Sequence, residues 1–276
     1  MSGKGSDFDL GTTAGSAELA PPDLERRFGG VARLYGEATL ARFGSARIGV
    51  VGLGGVGTWA AEALARSGVG NLTLIDLDHI SESNTNRQIH ALDPEFGKAK
   101  VQAMAQRIQA IHPGANVRAL EEFVTQDNVV RLLYGLDLVI DCIDQVNAKA
   151  ALIAHARNIG IAIVTCGGAG GRKDPTRIRR DDLARARGDP LLAKLRHRLR
   201  RDYGFAGPGS GKHPPCFGVD AVFSDEALGR PAPACEPAGA PAGSPLACGG
   251  YGSAVTVTAT MGFAAAARAL QRLESA

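Results

Sequence analysis

The run Gly52, Leu53, Gly54, Gly55, Val56 and Gly57 constrains this chain more than any other stretch of it. Before it, residues 47–51 carry Ile48, Val50 and Val51 and read as a short buried strand. After it, residues 58–66 read as a helix of alanine, leucine and Trp59, with Ser67 and Gly68 as the stop signal. Gly52, Gly54 and Gly57 follow the G-x-G-x-x-G spacing between strand and helix. Glycine at those places lets the chain turn tightly and brings the N–H groups at the helix start within reach of a phosphate. The loop therefore points to an adenine nucleotide.

The alternation continues. Residues 71–75 form a second strand ending at Asp76, followed by a helix at 98–111, a strand at 116–120 and a helix at 126–134. A strand at 136–140 delivers Asp141 and Asp144, and a helix at 146–158, stopped by Gly160, leads to a strand at 161–165. This pattern predicts an α/β fold, a Rossmann-like doubly wound and mostly parallel sheet, with ligands at the carboxyl ends of the strands. Beyond it the composition changes to glycine- and proline-rich loops and a last helix over 252–273. We read 1–22 as a flexible tail, 23–171 as the nucleotide-binding domain and 172–276 as a basic, loop-rich, irregular C-terminal extension with a closing helix. With 45% hydrophobic residues and a net charge of +3, a disordered chain is excluded. Five cysteines without regular spacing fit a reducing, cytoplasmic setting. Residues 237–267 lack charge, but Pro237, Pro241, Pro245 and many small side chains make a membrane span unexpected.

Two basic residues choose the ligand. Asp76 can accept from ribose hydroxyls; Asp78 and then Ser83, Asn84, Thr85, Asn86, Arg87 and Gln88 follow, with Lys100 on the next helix. A dinucleotide pyrophosphate held by backbone amides needs no Arg/Lys pair. A nucleoside triphosphate does, because charge must be neutralised where phosphate leaves. Asp144 suits Mg²⁺, which takes one or two carboxylates alongside phosphate oxygens. An NAD-dependent dehydrogenase is disfavoured on these grounds.

Taken together, these motifs resemble the ubiquitin-activating-enzyme-like (ThiF/MoeB/HesA) superfamily, whose members adenylate a carboxylate with ATP and release pyrophosphate. The resemblance implies a cofactor site of Gly52, Gly54, Gly55, Gly57, Asp76, Asp78, Ser83, Asn84, Asn86, Arg87, Lys100, Asp144 and Gln145. Within it Arg87, Lys100 and Asp144 would be catalytic, with Asp144 on the metal. Gln145 departs from the asparagine common in that place. Arg27 and Phe28 resemble the start of the family's N-terminal helix, but Gly30 stands where those homodimers carry an arginine that reaches across the interface. Arg27 and Arg33 are the substitutes.

The carboxylate substrate is the remaining question. Cys142, Cys166, Cys216, Cys235 and Cys248 contain no C-x-x-C pair, so the zinc site of the carrier-protein activators is not expected. His213 with Cys216 reads as a loop coincidence, and Cys248 beside Gly249 and Gly250 as a relic of thioester-forming members. The glycine-rich turn 167–171, the Asp174-Pro175 and Asp189-Pro190 steps and the 252–263 stretch resemble one branch of the superfamily. That branch uses ATP to dehydrate and cyclise the threonylcarbamoyl group on the adenosine beside the tRNA anticodon. The charge distribution supports it independently. Residues 172–201 hold twelve basic residues against four acids, an excess of +8 that leaves −5 for the rest of the chain. Arg177, Arg179, Arg180, Lys194, Arg196, Arg198, Arg200 and Arg201 are the candidate RNA contacts. An adenylating enzyme for a ubiquitin-like or sulfur-carrier protein is the alternative. The resemblance leaves open a monovalent cation, K⁺ or Na⁺, in the second half and a sulfur-transfer protein partner. It implies a homodimer, and helix 252–267 is a candidate for its interface.

Overall fold

A computed structural model describes residues 22–209, 215–229 and 251–275. The tail at 1–21, His213, Cys235 and Cys248 lie outside the described residues. Seven strands form one sheet in the order β3-β2-β1-β4-β5-β7-β6. They are β1 (Arg47–Val51), β2 (Asn71–Ile75), β3 (Asn116–Leu120), β4 (Leu138–Asp141), β5 (Ala162–Cys166), β6 (Ile178–Asp182) and β7 (Asp220–Ser224). All neighbouring pairs are parallel except β6 with β7. From β1 the chain winds outward to β2 and β3, then returns to β4 on the other side of β1. The crevice at that reversal, where β1 and β4 end at Val51 and Asp141, is where a doubly wound sheet binds its ligand.

Helices cover both faces because the central strands are buried on both faces, β1, β2, β4, β5 and β7 almost throughout. One core holds α3 (Gly57–Arg66), α4 (Lys100–Ile111) and α8 (Val255–Glu274) against Ile48, Val50, Leu72 and Leu74. The other holds α5 (Val129–Leu133), α6 (Val146–Ile159) and α7 (Pro190–Tyr203) against Val51, Val139, Ile163 and Ala221. Two short helices, α1 (Leu24–Tyr35) and α2 (Glu37–Ser45), precede β1.

The extension after Gly171 is built into this architecture. Its β7 pairs with β5, its β6 closes the sheet edge, and α8 lies along α3. The small residues of α8 thus face inward. A Cβ at Gly262 would stand 2.5 Å from the Val56 carbonyl and 2.9 Å from the Trp59 Cβ, so the two helices are at backbone contact. Gly262, Ala265, Ala266 and Ala269 are buried within the chain, whereas Phe263 and Ala267 of the same helix are exposed. The helix expected at 126–134 shortens to α5, because Asn128 ties the preceding residues into a loop. Its side chain accepts from Thr125 N at 2.8 Å and donates to the Phe123 carbonyl at 2.8 Å. Among the described residues no helix is long and apolar enough to cross a membrane.

Candidate nucleotide and adenylation site

The glycines of the loop do different work. Gly52 sits at φ +87°, a conformation that side chains resist, and donates to the Ile75 carbonyl at 2.9 Å. A Cβ at Gly57 would fall 1.8 Å from the Gly52 oxygen, so glycine there lets the helix start close against the turn. A Cβ at Gly54 meets nothing within 4 Å, which marks the open side of the loop. At Gly55 it would press on the Arg87 side-chain carbons at 3.1 and 3.2 Å. Loop and arginine are in contact.

Asp76, at the end of β2, anchors the loop. Its Oδ2 accepts from Leu53 N at 2.6 Å and its Oδ1 from Asp78 N at 2.8 Å. Burial pushes its pKa above the ordinary carboxylate value, while nearby Lys100 and these N–H groups pull the other way. Lys100 opens α4 almost fully buried, with its ammonium 2.7 Å from Asp78 Oδ2 and 3.9 Å from Asp76 Oδ1. Arg87 donates to the Ser83 carbonyl at 2.7 Å and to Asn86 Oδ1 at 2.9 Å, and the Arg87 carbonyl accepts from Trp59 Nε1 at 2.9 Å. Asn86 in turn donates to Ser253 O at 2.9 Å, which joins this segment to the entrance of α8. Asn84 is buried, and its side chain accepts from Ser81 N at 3.1 Å, so it holds the turn in shape.

Asp144 and Gln145 are exposed in the connection from β4 to α6, and Asp144 has no hydrogen bond or ion pair among the described residues. An exposed, unengaged carboxylate is a fitting ligand for a hard cation, and the open face of Gly54 fits the backbone approach of a phosphate. Beneath lies an arrangement that motif reading misses. Lys149 and Asp141 are both fully buried and paired at 2.9 Å. Its signal in the sequence is Lys149 itself, a lone charge in the otherwise apolar run 148–154. His90 escapes motif reading as well, although it is buried and close enough to Lys100 to feel its charge. Cys142 and Cys166 adjoin at the ends of β4 and β5 with sulfurs 3.8 Å apart, and their mutual hydrogen bond and burial raise the Cys142 pKa far above the thiol range. That suppresses thiolate chemistry.

The basic segment is less uniform than its sequence. Arg172 is buried and paired with Asp189 at 3.2 Å. Arg177 and Arg179 share Asp225, and Arg198 and Arg201 share Asp202. Arg180 donates to Gln271. Arg200 donates to the Ala206 carbonyl at 3.1 Å and lies over the Phe217 ring. Arg196 is half-buried, and desolvation followed by the neighbouring Arg200 lowers its pKa. Lys194, His197 and Arg201 line the exposed side of α7. At the other end of the sheet, Arg27 Nη1 donates to the Ala110 and Ile111 carbonyls at 3.3 and 2.7 Å and so caps α4, whereas Arg33 is exposed.

The model of the ThiF family matches residues 28–276. The chain belongs to the ThiF family. This ThiF-family chain is 51% identical over 254 residues to the tRNA threonylcarbamoyladenosine dehydratase of Escherichia coli, covering 90% of the chain and 93% of that relative. The crystal structure of the E. coli enzyme, TcdA, in complex with ATP superposes with a TM-score of 0.81 at 49% identity, over 91% of this chain and 95% of that one. Its complex with AMP gives a TM-score of 0.80 over the same shares.

Proposed function

We propose that this ThiF-family enzyme dehydrates threonylcarbamoyladenosine in tRNA at the expense of ATP. The observation that carries the reading is likeness over nine-tenths of the chain to an enzyme of that activity solved with ATP and with AMP. The loop geometry agrees: Gly54 is open to a phosphate, Arg87 lies against Gly55, and Lys100 stands beside Asp76, which anchors the loop.

The free carboxylate of the threonylcarbamoyl group attacks the α-phosphorus of ATP, and pyrophosphate leaves. A nitrogen or oxygen of the same side chain then attacks the activated carbonyl carbon and expels AMP, which carries away the carboxylate oxygen. The side chain has lost one water. Asp76, with Asp78 beside it, fixes the ribose, and the backbone of Gly52, Gly54, Gly55 and Gly57 receives phosphate. Ser83, Asn84 and Asn86 hold the segment that aims Arg87, and Gln145 borders Asp144. Arg87 and Lys100 neutralise phosphate charge, and for Lys100 this means exchanging Asp78 for phosphate oxygens. Asp144 is the residue suited to hold Mg²⁺, which when bound screens the charge on the leaving pyrophosphate. The second step is intramolecular and gains its rate from proximity.

Lys194, Arg198, Arg200 and Arg201 on α7, with Arg196 behind them and Arg177, Arg179 and Arg180 at the sheet edge, supply the contacts to tRNA phosphates. An arginine reaching across a homodimer would be Arg33, since Arg27 caps α4. A K⁺ or Na⁺ ion in the second half and a sulfur-transfer partner belong to the same reading, as does action in the cytoplasm.

Incubation with ATP and tRNA bearing threonylcarbamoyladenosine tests it. Mass analysis of the nucleosides is expected to show a product lighter by one water, with AMP and pyrophosphate formed. Arg87→Ala and Asp144→Ala should each slow turnover by about 10²–10³-fold. Unchanged tRNA, together with adenylation of a carrier protein ending in Gly-Gly, would replace this reading with the carrier-activating one.

A further inference from the structure

The exposed Asp144 hangs from a short turn, and that turn is held from below by a buried charge. Asp141 ends β4 and its side chain is fully buried. Asp141 Oδ1 accepts from Ile143 N at 3.2 Å, and its Oδ2 accepts from Thr165 Oγ1 at 2.7 Å on the neighbouring strand. Lys149, one turn into α6, has no exposed side-chain surface. Its ammonium stands 2.9 Å from Asp141 Oδ2 and donates to the carbonyls of Ile143 at 2.9 Å and Asp141 at 3.4 Å. All three ammonium protons therefore have acceptors, and all belong to the segment 141–143. A buried ammonium is costly unless paired and hydrogen-bonded, so the strand end, the turn and the helix are committed to one arrangement. Burial without solvent access also excludes Lys149 from contact with substrate.

We propose that Lys149 is a positioning residue for Asp144: its ammonium, clamped between the Asp141 carboxylate and the Ile143 carbonyl, fixes the backbone that aims the Asp144 carboxylate at the metal. Thr165 extends the clamp to β5, so three elements set the direction of one side chain. This rests on the adenylation reading above, which supplies the metal. Outer partners that orient a ligating carboxylate commonly control metal affinity by one to two orders of magnitude.

The test measures metal binding apart from catalysis. Titration of the full-length protein with Mn²⁺ in the presence of a non-hydrolysable ATP analogue, followed by electron paramagnetic resonance, gives metal affinity. The same analogue titrated in EDTA gives metal-free nucleotide affinity. In Lys149→Met, Mn²⁺ affinity is expected to fall about tenfold or more while metal-free nucleotide affinity stays within about twofold. The Asp141→Asn/Lys149→Met pair removes both charges, avoids a lone buried ion if the single variant fails to fold, and should show the same selective loss. Lowered thermal stability with unchanged Mn²⁺ affinity would overturn the proposal and leave a purely structural ion pair. If wild type binds Mn²⁺ with the analogue but does not turn over tRNA, the functional reading fails and the positioning role is still judged by its own titration.

Discussion

His90 is buried, and neither ring nitrogen has a hydrogen-bond partner among the described residues. Burial, and then the charge of Lys100, lower its pKa from 6.5 to about 4. The folded protein therefore keeps this ring neutral at a pH where the unfolded chain would protonate it. Between pH 6.5 and about 4 the unfolded state binds more protons, so stability present above 6.5 is lost as the pH falls through this window. The contribution amounts to about 3 kcal/mol at most. Urea midpoints measured across that window should decline steeply for wild type and less steeply for His90→Phe. Parallel declines would assign the acid sensitivity elsewhere. Asp76 has the opposite tendency for a carboxylate, since burial favours its neutral form, yet two backbone N–H donors and Lys100 work against that. Asp76 thus holds the loop together, with the Lys100 ammonium beside it.

Between elements, α8 and α3 approach until only backbone separates them. Gly262 of α8 meets Val56, Trp59 and Ala60 at the start of α3, and Trp59 also stacks edge-on against Phe263. Adding a single methyl at Gly262 has no room to be absorbed by a flexible side chain, because its nearest neighbour is the Val56 carbonyl oxygen. Gly262→Ala should destabilise the fold by about 1–3 kcal/mol, visible as a lowered urea midpoint. Because α3 begins at the nucleotide loop and Thr258 touches the space beside Gly55, ATP affinity is expected to weaken with it. Full stability in the variant would mean that α8 can lift from α3 freely. Asp182 performs a comparable service with hydrogen bonds: its carboxylate accepts from Phe217 N and Gly218 N, both at 2.8 Å, and so brings β7 to the end of β6.

Over the whole molecule, charge is divided unevenly. The excess of +8 in residues 172–201 is offset in space by Asp202 and Asp225, which lie outside that window and each hold two arginines. The surface that remains basic is narrower than the sequence run and follows α7. The RNA contact proposed for it is electrostatic and should be read in salt dependence. Replacing Lys194 and Arg201 by alanine is expected to weaken tRNA binding and to reduce the slope of log affinity against log salt by about one for each phosphate that is no longer neutralised. ATP affinity without tRNA should be unchanged. An unaltered slope would move the RNA-binding surface off α7.

The order of strands and helices from Arg47 through Cys166, and the nucleotide loop among them, can be read from residues alone, whereas α2 (Glu37–Ser45) is not so read. Their signals are local: a strand, three spaced glycines and a helix are fixed by neighbours in the chain. The motif residues Asp76, Arg87, Lys100 and Asp144 are legible for the same reason, each standing at or near the end of a readable element. Tertiary structure decided the rest. That β7 joins β5 depends on residues distant in the chain meeting, with Val164 opposite Asp220 and Thr165 opposite Ala221. That Lys149 is a buried clamp and Arg172 a buried ion pair, while Lys194 faces solvent, depends on which carboxylates fold beside them. A charge in sequence has only a sign. Its role is set by desolvation and by partners, and both exist only once distant parts of the chain have packed.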